Sequence, residues 1–129
     1  IKNGEDFIQA NGDVIHNGDL TANPPDSFAY AYCSDTMYDE SIVPLIKGVD
    51  VLYHEATFRE ESKDKAALRF HSTAKQAANI AKKADVGQLI IGHYSAKYKD
   101  LSPLLLEAQE VFPATVLAIE GNSYSIPNN

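Results

Sequence analysis

The sequence has little of several residue types, and each shortage narrows what the protein can be. Among its 129 residues there is one cysteine, Cys33, so no disulfide can form within the chain and a secreted disulfide scaffold is excluded. A single cysteine favours a reducing cytoplasm as the location. The sequence has no run of about 18 apolar residues, so we expect no membrane-spanning helix. No signal-peptide pattern opens the chain.

Basic residues are also scarce. The chain has 11 Lys and Arg against 18 Asp and Glu, which gives a net charge of −7. This balance argues against a nucleic-acid-binding surface spread over the whole chain, because phosphate contacts come from Lys and Arg. The basic residues are nevertheless clustered, at Lys63, Lys65, Arg69, Lys75, Lys82 and Lys83 and again at Lys97 and Lys99. A solvated helix face is the simpler explanation of such runs.

The apolar content is sufficient for one packed domain. Hydrophobic residues make up 44% of the sequence, and 129 residues suit one modest domain rather than two. We therefore expect a single domain over residues 1–129. The chain starts at Ile1 and its only methionine is Met37, so we also expect it to be a piece of a longer protein.

The pattern of the sequence changes near residue 28. Before it, Asn11-Gly12 predicts a hairpin between residues 6–9 and 13–15, and Asn17-Gly18 predicts a second turn. After it, strands alternate with helices, which indicates a layered α/β domain. We predict strands at residues 28–33 (buried), 49–53, 88–92, 115–119 and 124–126. We predict helices at residues 41–47, 59–70 and 73–84, a helix capped by Ser102 and ended by Pro113, and a tail at residues 127–129.

Three predicted strands are followed at once by polar residues that can bind ligands. The segments are Cys33-Ser34-Asp35-Thr36, His54-Glu55-Ala56-Thr57 and Gly92-His93-Tyr94-Ser95. In α/β sheets, sites form at the carboxyl ends of the strands. A fourth group, His71-Ser72-Thr73, opens a helix, where free N–H groups and the positive end of the helix dipole suit a phosphate.

We therefore expect Asp35, Glu55, His71 and His93 to converge. One carboxylate and two imidazoles are good ligands for zinc or a similar metal, and a second carboxylate could orient a histidine. Each residue also has an ordinary explanation, as a turn cap, a surface carboxylate, a residue before a helix cap or a core histidine. Outside this group, we interpret His54 as structural, Cys33 as a small buried residue and His16 as exposed and incidental.

At this point the motifs themselves resemble a known family. In order, they are Tyr32-Cys33-Ser34-Asp35-Thr36, Leu52-Tyr53-His54-Glu55-Ala56-Thr57, His71-Ser72-Thr73 and His93-Tyr94-Ser95-Ala96-Lys97-Tyr98. This order is similar to that of RNase Z, the tRNA 3′-processing endoribonuclease of the metallo-β-lactamase superfamily. The pairing of His54-Glu55-Ala56-Thr57 with His71-Ser72-Thr73 is the specific part of the resemblance, since Asp35 and His93 alone would mark only the superfamily.

The resemblance implies the C-terminal half of an αββα sandwich that holds two zinc ions. Asp35 matches the carboxylate that bridges both metals, and His93 matches a histidine that completes one of them. His71 matches the residue that protonates the leaving ribose oxygen, and Glu55 the carboxylate that holds His71. The residues matched to substrate contacts are Ser72, Thr73, Ser95, Lys97 and Tyr98.

Two departures from the family pattern limit this expectation. The His-x-His-x-Asp-His cluster, which carries most metal ligands, is absent, so we expect the chain to be inactive alone and to belong to a longer enzyme that processes precursor tRNA. Lys97 stands where the family usually has Arg, which loses a bidentate contact to phosphate. Half a sandwich leaves an apolar sheet face uncovered, so we expect a homodimer. Another hydrolase or phosphodiesterase of the same fold and a non-catalytic α/β scaffold remain as alternatives.

Overall fold

The computed structural model of the chain describes residues 1–126, so the predicted tail lies outside the described residues. Along these residues the helices and strands are β1 (Phe7–Ile8), β2 (Val14–Ile15), α1 (Asn17–Leu20), β3 (Tyr30–Cys33), a 3₁₀ helix (Glu40–Ile46), β4 (Val51–Glu55), a second 3₁₀ helix (Glu60–Ser62), α2 (Lys63–Leu68), α3 (Ala74–Ala84), β5 (Gln88–Gly92), α4 (Ser102–Val111) and β6 (Thr115–Leu117). None of the described helices is long and apolar enough to cross a membrane.

A parallel four-stranded sheet forms the centre of the fold, in the order β3-β4-β5-β6. Helices α3 and α4 pack against one of its faces, where Leu52, Leu89 and Ile91 are fully buried together with Ile80 and Leu104 of the helices. Because all four strands run in one direction, their carboxyl ends meet at one edge of the sheet. The predicted layered α/β arrangement is confirmed.

The predicted buried strand at residues 28–33 is wrong in its burial. Strand β3 is one of the two edge strands of the sheet, and its residues alternate between exposed and half-buried. Tyr30 and Tyr32 point away from the helices and are 56% and 64% exposed. The Tyr32 ring stacks on the Tyr53 ring of β4 with centroids 4.7 Å apart. The sheet therefore has one face covered by helices and one face lined with tyrosines.

Helix α3 forms because its ends are capped and one side is apolar. Thr73 and Gln76 make the predicted capping box, in which the Thr73 hydroxyl accepts from the Gln76 N–H and the Gln76 side chain accepts from the Thr73 N–H. Six of its eleven residues are buried, five of them alanines that allow close contact with the sheet. Asp85 ends the helix in the left-handed conformation.

Several other predicted elements differ from the structure. Residues 59–70 form a 3₁₀ turn followed by α2 instead of one helix, and residues 40–46 form a 3₁₀ helix with Pro44 inside it. Asn17-Gly18 opens the short helix α1 instead of a turn. Leu101, not Ser102, is the N-cap of α4, while the Asp100 carboxylate accepts from the Ser102 N–H at 2.9 Å. The predicted hairpin is confirmed as the antiparallel pair β1–β2.

The predicted closing strand at residues 124–126 is also wrong, and the predicted strand at 115–119 ends at Leu117. A side chain, and not strand pairing, holds residues 124–126 against the end of β6. The Tyr124 hydroxyl donates to the Leu117 carbonyl and accepts from the Ile119 N–H, both at 2.7 Å. One phenol thus joins this segment to the end of β6.

Candidate metal centre at the strand ends

Asp35 and His93 stand just beyond the ends of β3 and β5, in an unusual backbone conformation. Their φ angles are 57° and 60°, in the left-handed region that only a few per cent of residues other than glycine adopt. Aspartate and histidine tolerate this region better than most residues, and such conformations concentrate at functional sites. The left-handed turns stop both strands and bring both side chains to the same edge of the sheet.

Glu55 and His71 form the tightest contact of the site. Glu55 is the last residue of β4 and is fully buried. The His71 Nδ1 lies 2.7 Å from the Glu55 Oε1. His71 reaches this position because its N–H donates to the Ala66 carbonyl at 2.8 Å and Phe70 before it turns with a φ of 58°. A buried carboxylate paired with one imidazole N–H fixes both the ring orientation and the tautomer of that histidine.

The four residues that the sequence predicts to converge do lie together. Asp35, Glu55, His71 and His93 each offer a ligand atom within 4.8 Å of the others. The Asp35 Oδ1 lies 3.5 Å from the His71 Nδ1 and 3.9 Å from the His93 Nε2. The rings of the two histidines have centroids 5.3 Å apart. Oxygen and imidazole donors at this spacing suit zinc, so the residues present fit part of a metal site.

Thr57, to which the sequence motifs gave no role, lies at the centre of this group. Its hydroxyl is 2.8 Å from the Glu55 Oε2, 2.9 Å from the His93 Nδ1 and 3.3 Å from the His71 Nδ1. Its own N–H also donates to the Glu55 Oε2 at 2.9 Å. Its signal in the sequence was its place as the last residue of the His54-Glu55-Ala56-Thr57 motif, two residues after the glutamate.

Backbone bonds hold the loops that carry Thr57 and His93 side by side. The Ala56 N–H donates to the Gly92 carbonyl at 2.8 Å, and the Ser95 N–H donates to the Thr57 carbonyl at 3.0 Å. These bonds continue the pairing of β4 and β5 beyond the last residues of the strands. The two loops therefore keep a fixed register at the site.

The predicted substrate contacts divide into two groups. Ser72 and Thr73 are fully buried, and their hydroxyls donate within the chain, to the Thr36 carbonyl and to Glu60 Oε2, each at 2.7 Å. Both side chains therefore stabilise the fold and are not accessible to solvent. Ser95 and Tyr98 are half-buried on the loop after β5.

Lys97 is exposed on the same loop, beside the ring of Phe58. Its Nζ lies 5.3 Å from the centroid of the Phe58 ring and 4.8 Å from that of Tyr98. The Lys65 Nζ lies 5.6 Å from the Phe58 centroid, and the Phe58 and His71 rings meet edge to face with centroids 6.1 Å apart. Two ammonium groups thus lie beside the Phe58 ring, which neighbours His71, and such groups are suited to a phosphate.

His54 is buried and His16 is exposed, as predicted, whereas Cys33 is half-buried and not the buried residue that we predicted. His54 is fully buried, its Nδ1 lies 2.8 Å from the Glu55 carbonyl, and burial lowers the pKa of its imidazole. Burial raises the pKa of the Cys33 thiol, which disfavours the thiolate that a nucleophile requires. The His16 side chain is 75% exposed and lies 3.2 Å from Asp6.

A cavity of about 490 Å³ opens beside His93 on the tyrosine-lined face. Its wall is formed by Tyr53, His93, Tyr94, Ala118, Ile119 and Glu120. Gly92 makes room for the Tyr53 ring, because a methyl group at Gly92 would collide with the outer end of that ring. The cavity therefore leaves His93 open to an approaching molecule on the sheet face opposite the helices.

Comparisons with known proteins place these features in context. No family model matches the chain. The ribonuclease Z of Parabacteroides distasonis is 53% identical over 126 residues, which are 98% of this chain and 41% of that protein. The ribonuclease Z of Bacteroides thetaiotaomicron is 52% identical over 128 residues, which are 99% of this chain and 40% of that protein.

Two solved structures show the same fold. The metallo-β-lactamase fold protein YhfI from Bacillus subtilis matches with a TM-score of 0.71 and 27% identity, over 77% of this chain and 40% of that one. Human tRNase Z, short form, matches with a TM-score of 0.52 and 31% identity, over 67% of this chain and 28% of that one. The chain spans about two fifths of the length of the curated relatives it matches. The resemblance to ribonuclease Z and the metallo-β-lactamase fold that the motifs predict are therefore both confirmed, over that part of the relatives' length.

Proposed function

We propose that the chain forms part of a zinc-dependent endoribonuclease that removes the 3′ trailer from precursor tRNA. The observation that carries this proposal is the convergence of Asp35, Glu55, His71 and His93 at one sheet edge, in a chain about half identical to ribonuclease Z. A non-catalytic scaffold would have no need of two histidines and a carboxylate within 4.8 Å of one another beside a second, buried carboxylate.

Asp35 and His93 would hold the metal. Their Oδ1 and Nε2 atoms lie 3.9 Å apart, and both side chains are accessible at the edge of the sheet. Zinc, when bound, supplies a Lewis acid for the phosphodiester and lowers the pKa of water at the site. Two zinc ions need more ligands than these residues provide, so we propose that the longer protein completes the set and that the chain alone is inactive.

His71 would act as the general acid. Its Nδ1 is held by the buried Glu55 carboxylate, which leaves the Nε2 to protonate the departing ribose oxygen. That protonation leaves a 3′-hydroxyl on the tRNA. Lys97 and Tyr98, on the loop beside Phe58, would contact the neighbouring phosphate as part of the substrate site.

Two further proposals concern assembly and location. The exposed rings of Tyr30 and Tyr32 favour self-association of this chain, because apolar sheet faces rarely stay in contact with water. Light scattering on the chain should then give a dimer mass, and a monomer at high concentration contradicts this. The single cysteine supports the proposal that the protein acts in the cytoplasm.

The experiment that tests the function uses the purified full-length protein with zinc. Precursor tRNA should be cut at the start of its trailer to leave a 3′-hydroxyl, while bis(p-nitrophenyl) phosphate should react far more slowly. Asp35→Ala should lower cleavage by orders of magnitude and loosen zinc. Equal turnover of the Asp35 variant contradicts the assignment. Preference for the small diester would instead favour a general phosphodiesterase of the same fold.

A further inference from the structure

We propose that Thr57 is a positioning residue that fixes the tautomer of His93. The inference deepens the proposed function and rests on it for one point, that His93 binds the metal. It stands on three contacts of one buried hydroxyl, with Glu55, His93 and His71. Thr57 itself is 6% exposed, so water does not compete freely for these contacts.

The direction of the hydroxyl proton follows from Glu55. A hydroxyl has one proton to donate, while an ionised carboxylate only accepts. Glu55 is fully buried, and its Oε2 lies 2.8 Å from the Thr57 oxygen. If the hydroxyl proton pointed elsewhere, two buried oxygens would face each other without a proton between them, which is costly. The Thr57 hydroxyl therefore donates a hydrogen bond to Glu55.

The tautomer of His93 follows in turn. The Thr57 hydroxyl already donates its one hydrogen bond to Glu55, so toward His93 it can only accept. The His93 Nδ1, at 2.9 Å, must then carry the proton and donate it to Thr57. This leaves the Nε2 of His93 with a lone pair on the side facing Asp35, where the Nε2 and the Asp35 Oδ1 lie 3.9 Å apart. A metal ligand needs such a deprotonated nitrogen.

Glu55 thus orients both histidines of the site by different routes. One carboxylate oxygen accepts from the His71 Nδ1 directly, at 2.7 Å, and the other reaches the His93 Nδ1 through the hydroxyl of Thr57. The loop bonds from Ala56 to Gly92 and from Ser95 to Thr57 keep Thr57 in register with His93. Groups that hold the second nitrogen of a metal-binding histidine commonly change metal affinity by about 10–100-fold.

The test compares zinc affinity in three variants of the full-length protein, by competition with a chelator and without RNA. Thr57→Val keeps the shape but not the hydroxyl, and its zinc dissociation constant should rise about 10–100-fold. Thr57→Ser keeps the hydroxyl and should restore affinity to near that of the unmodified protein. Thr115→Val is the matched control: this buried threonine lies at the opposite edge of the sheet, and its hydroxyl bonds to the Phe112 carbonyl. It should leave zinc affinity unchanged.

Nitrogen NMR of labelled histidines in the zinc-free protein gives a second readout that does not depend on Thr57→Val folding. The unmodified protein should show His93 with its proton on Nδ1. A proton on Nε2, or zinc binding by Thr57→Val as tight as in the unmodified protein, overturns the proposal. If Thr57→Val loosens zinc but the unmodified full-length protein cuts no precursor tRNA, the role of Thr57 stands and the proposed function is wrong.

Discussion

The amino edge of the parallel sheet, where its strands begin, and the carboxyl edge, where they end, are held in different ways. At the amino edge, backbone groups and the Asp50 carboxylate hold the loops: the Gly48 N–H donates to the Ala84 carbonyl at 2.8 Å, and the Gly87 N–H to the Val49 carbonyl at 2.9 Å. At the carboxyl edge, side chains from four separate segments hold one another. This difference indicates that the contacts at the amino edge stabilise the fold, while the carboxyl edge places ionisable groups closer together than folding requires.

The largest expected effect of a change at the carboxyl edge is on cleavage. His71→Ala in the full-length protein should keep zinc and slow cleavage of precursor tRNA about 10²–10⁴-fold, the usual contribution of a general acid. Asp50→Asn, a polar change at the amino edge where the carboxylate accepts from the Ala29 N–H at 2.7 Å, should leave the rate nearly unchanged. Rates and zinc content measured side by side check both. Loss of zinc from the His71 variant would make His71 a ligand instead.

The next effect is on stability, and the glycines at the two ends of β5, Gly87 just before it and Gly92 at its last position, compare the two edges directly. A methyl group at Gly87, before β5, would lie 2.6 Å from the Asp50 carbonyl oxygen, so backbone must move. Gly87→Ala should destabilise the fold by about 1–3 kcal/mol, the usual range for overpacking. At Gly92 the obstacle is the outer end of the Tyr53 side chain, which can swing away. Gly92→Ala should therefore cost less. Urea unfolding measures both, and a larger loss at Gly92 would contradict the comparison.

A smaller effect is expected from surface charge. Lys97→Ala at the carboxyl edge should raise the KM for precursor tRNA up to several-fold, since an exposed ion pair contributes about 0.2–1 kcal/mol. Lys97→Arg should lower the KM, because guanidinium binds phosphate with two parallel bonds. Lys47→Ala, an exposed lysine at the amino edge, is the control and should change neither constant. An equal effect of Lys47→Ala would show that only the total charge matters.

The smallest effect concerns pH. Burial lowers the pKa of His54 below its ordinary value of 6.5, so the unfolded chain takes up this proton at a higher pH than the folded chain. The free energy of unfolding should therefore fall as pH drops below 6.5, by at most about 1.4 kcal/mol per pH unit. His54→Leu should flatten this dependence in urea unfolding between pH 7.5 and 5.5. An unchanged slope would assign the dependence to other groups.

The sequence predicted the site better than the surroundings of the site. Asp35, Glu55 and His93 follow strand ends, and strands of one direction deliver such residues to one edge whatever the details of packing. Thr57 could not be found in this way, because its role depends on where one proton goes among three neighbours. That direction follows only once the distances from Thr57 to Glu55 and His93 are known.

Errors in the predicted elements arose where long-range contacts decide. The apolar run at residues 28–33 has the composition of a buried strand, but an edge strand exposes alternate residues, and only the strand order shows that β3 is at the edge. Residues 124–126 have strand composition as well, yet the Tyr124 hydroxyl fastens them to β6. Local helix signals fared better, since the capping box of Thr73 and Gln76 is a short-range feature.

The two bonds that extend the β4–β5 pairing past the strand ends have a consequence for hydrogen exchange. The Ala56 and Ser95 amides are donors in these bonds, and both bonds must break before the Thr57 and His93 loops can separate. Amides at loop tips usually exchange with deuterium through small local openings, whereas amides of a core sheet exchange only through large ones. The Ala56 and Ser95 amides should therefore exchange as slowly as those in the interior of β5. The carboxyl edge then opens together with the sheet and not before it.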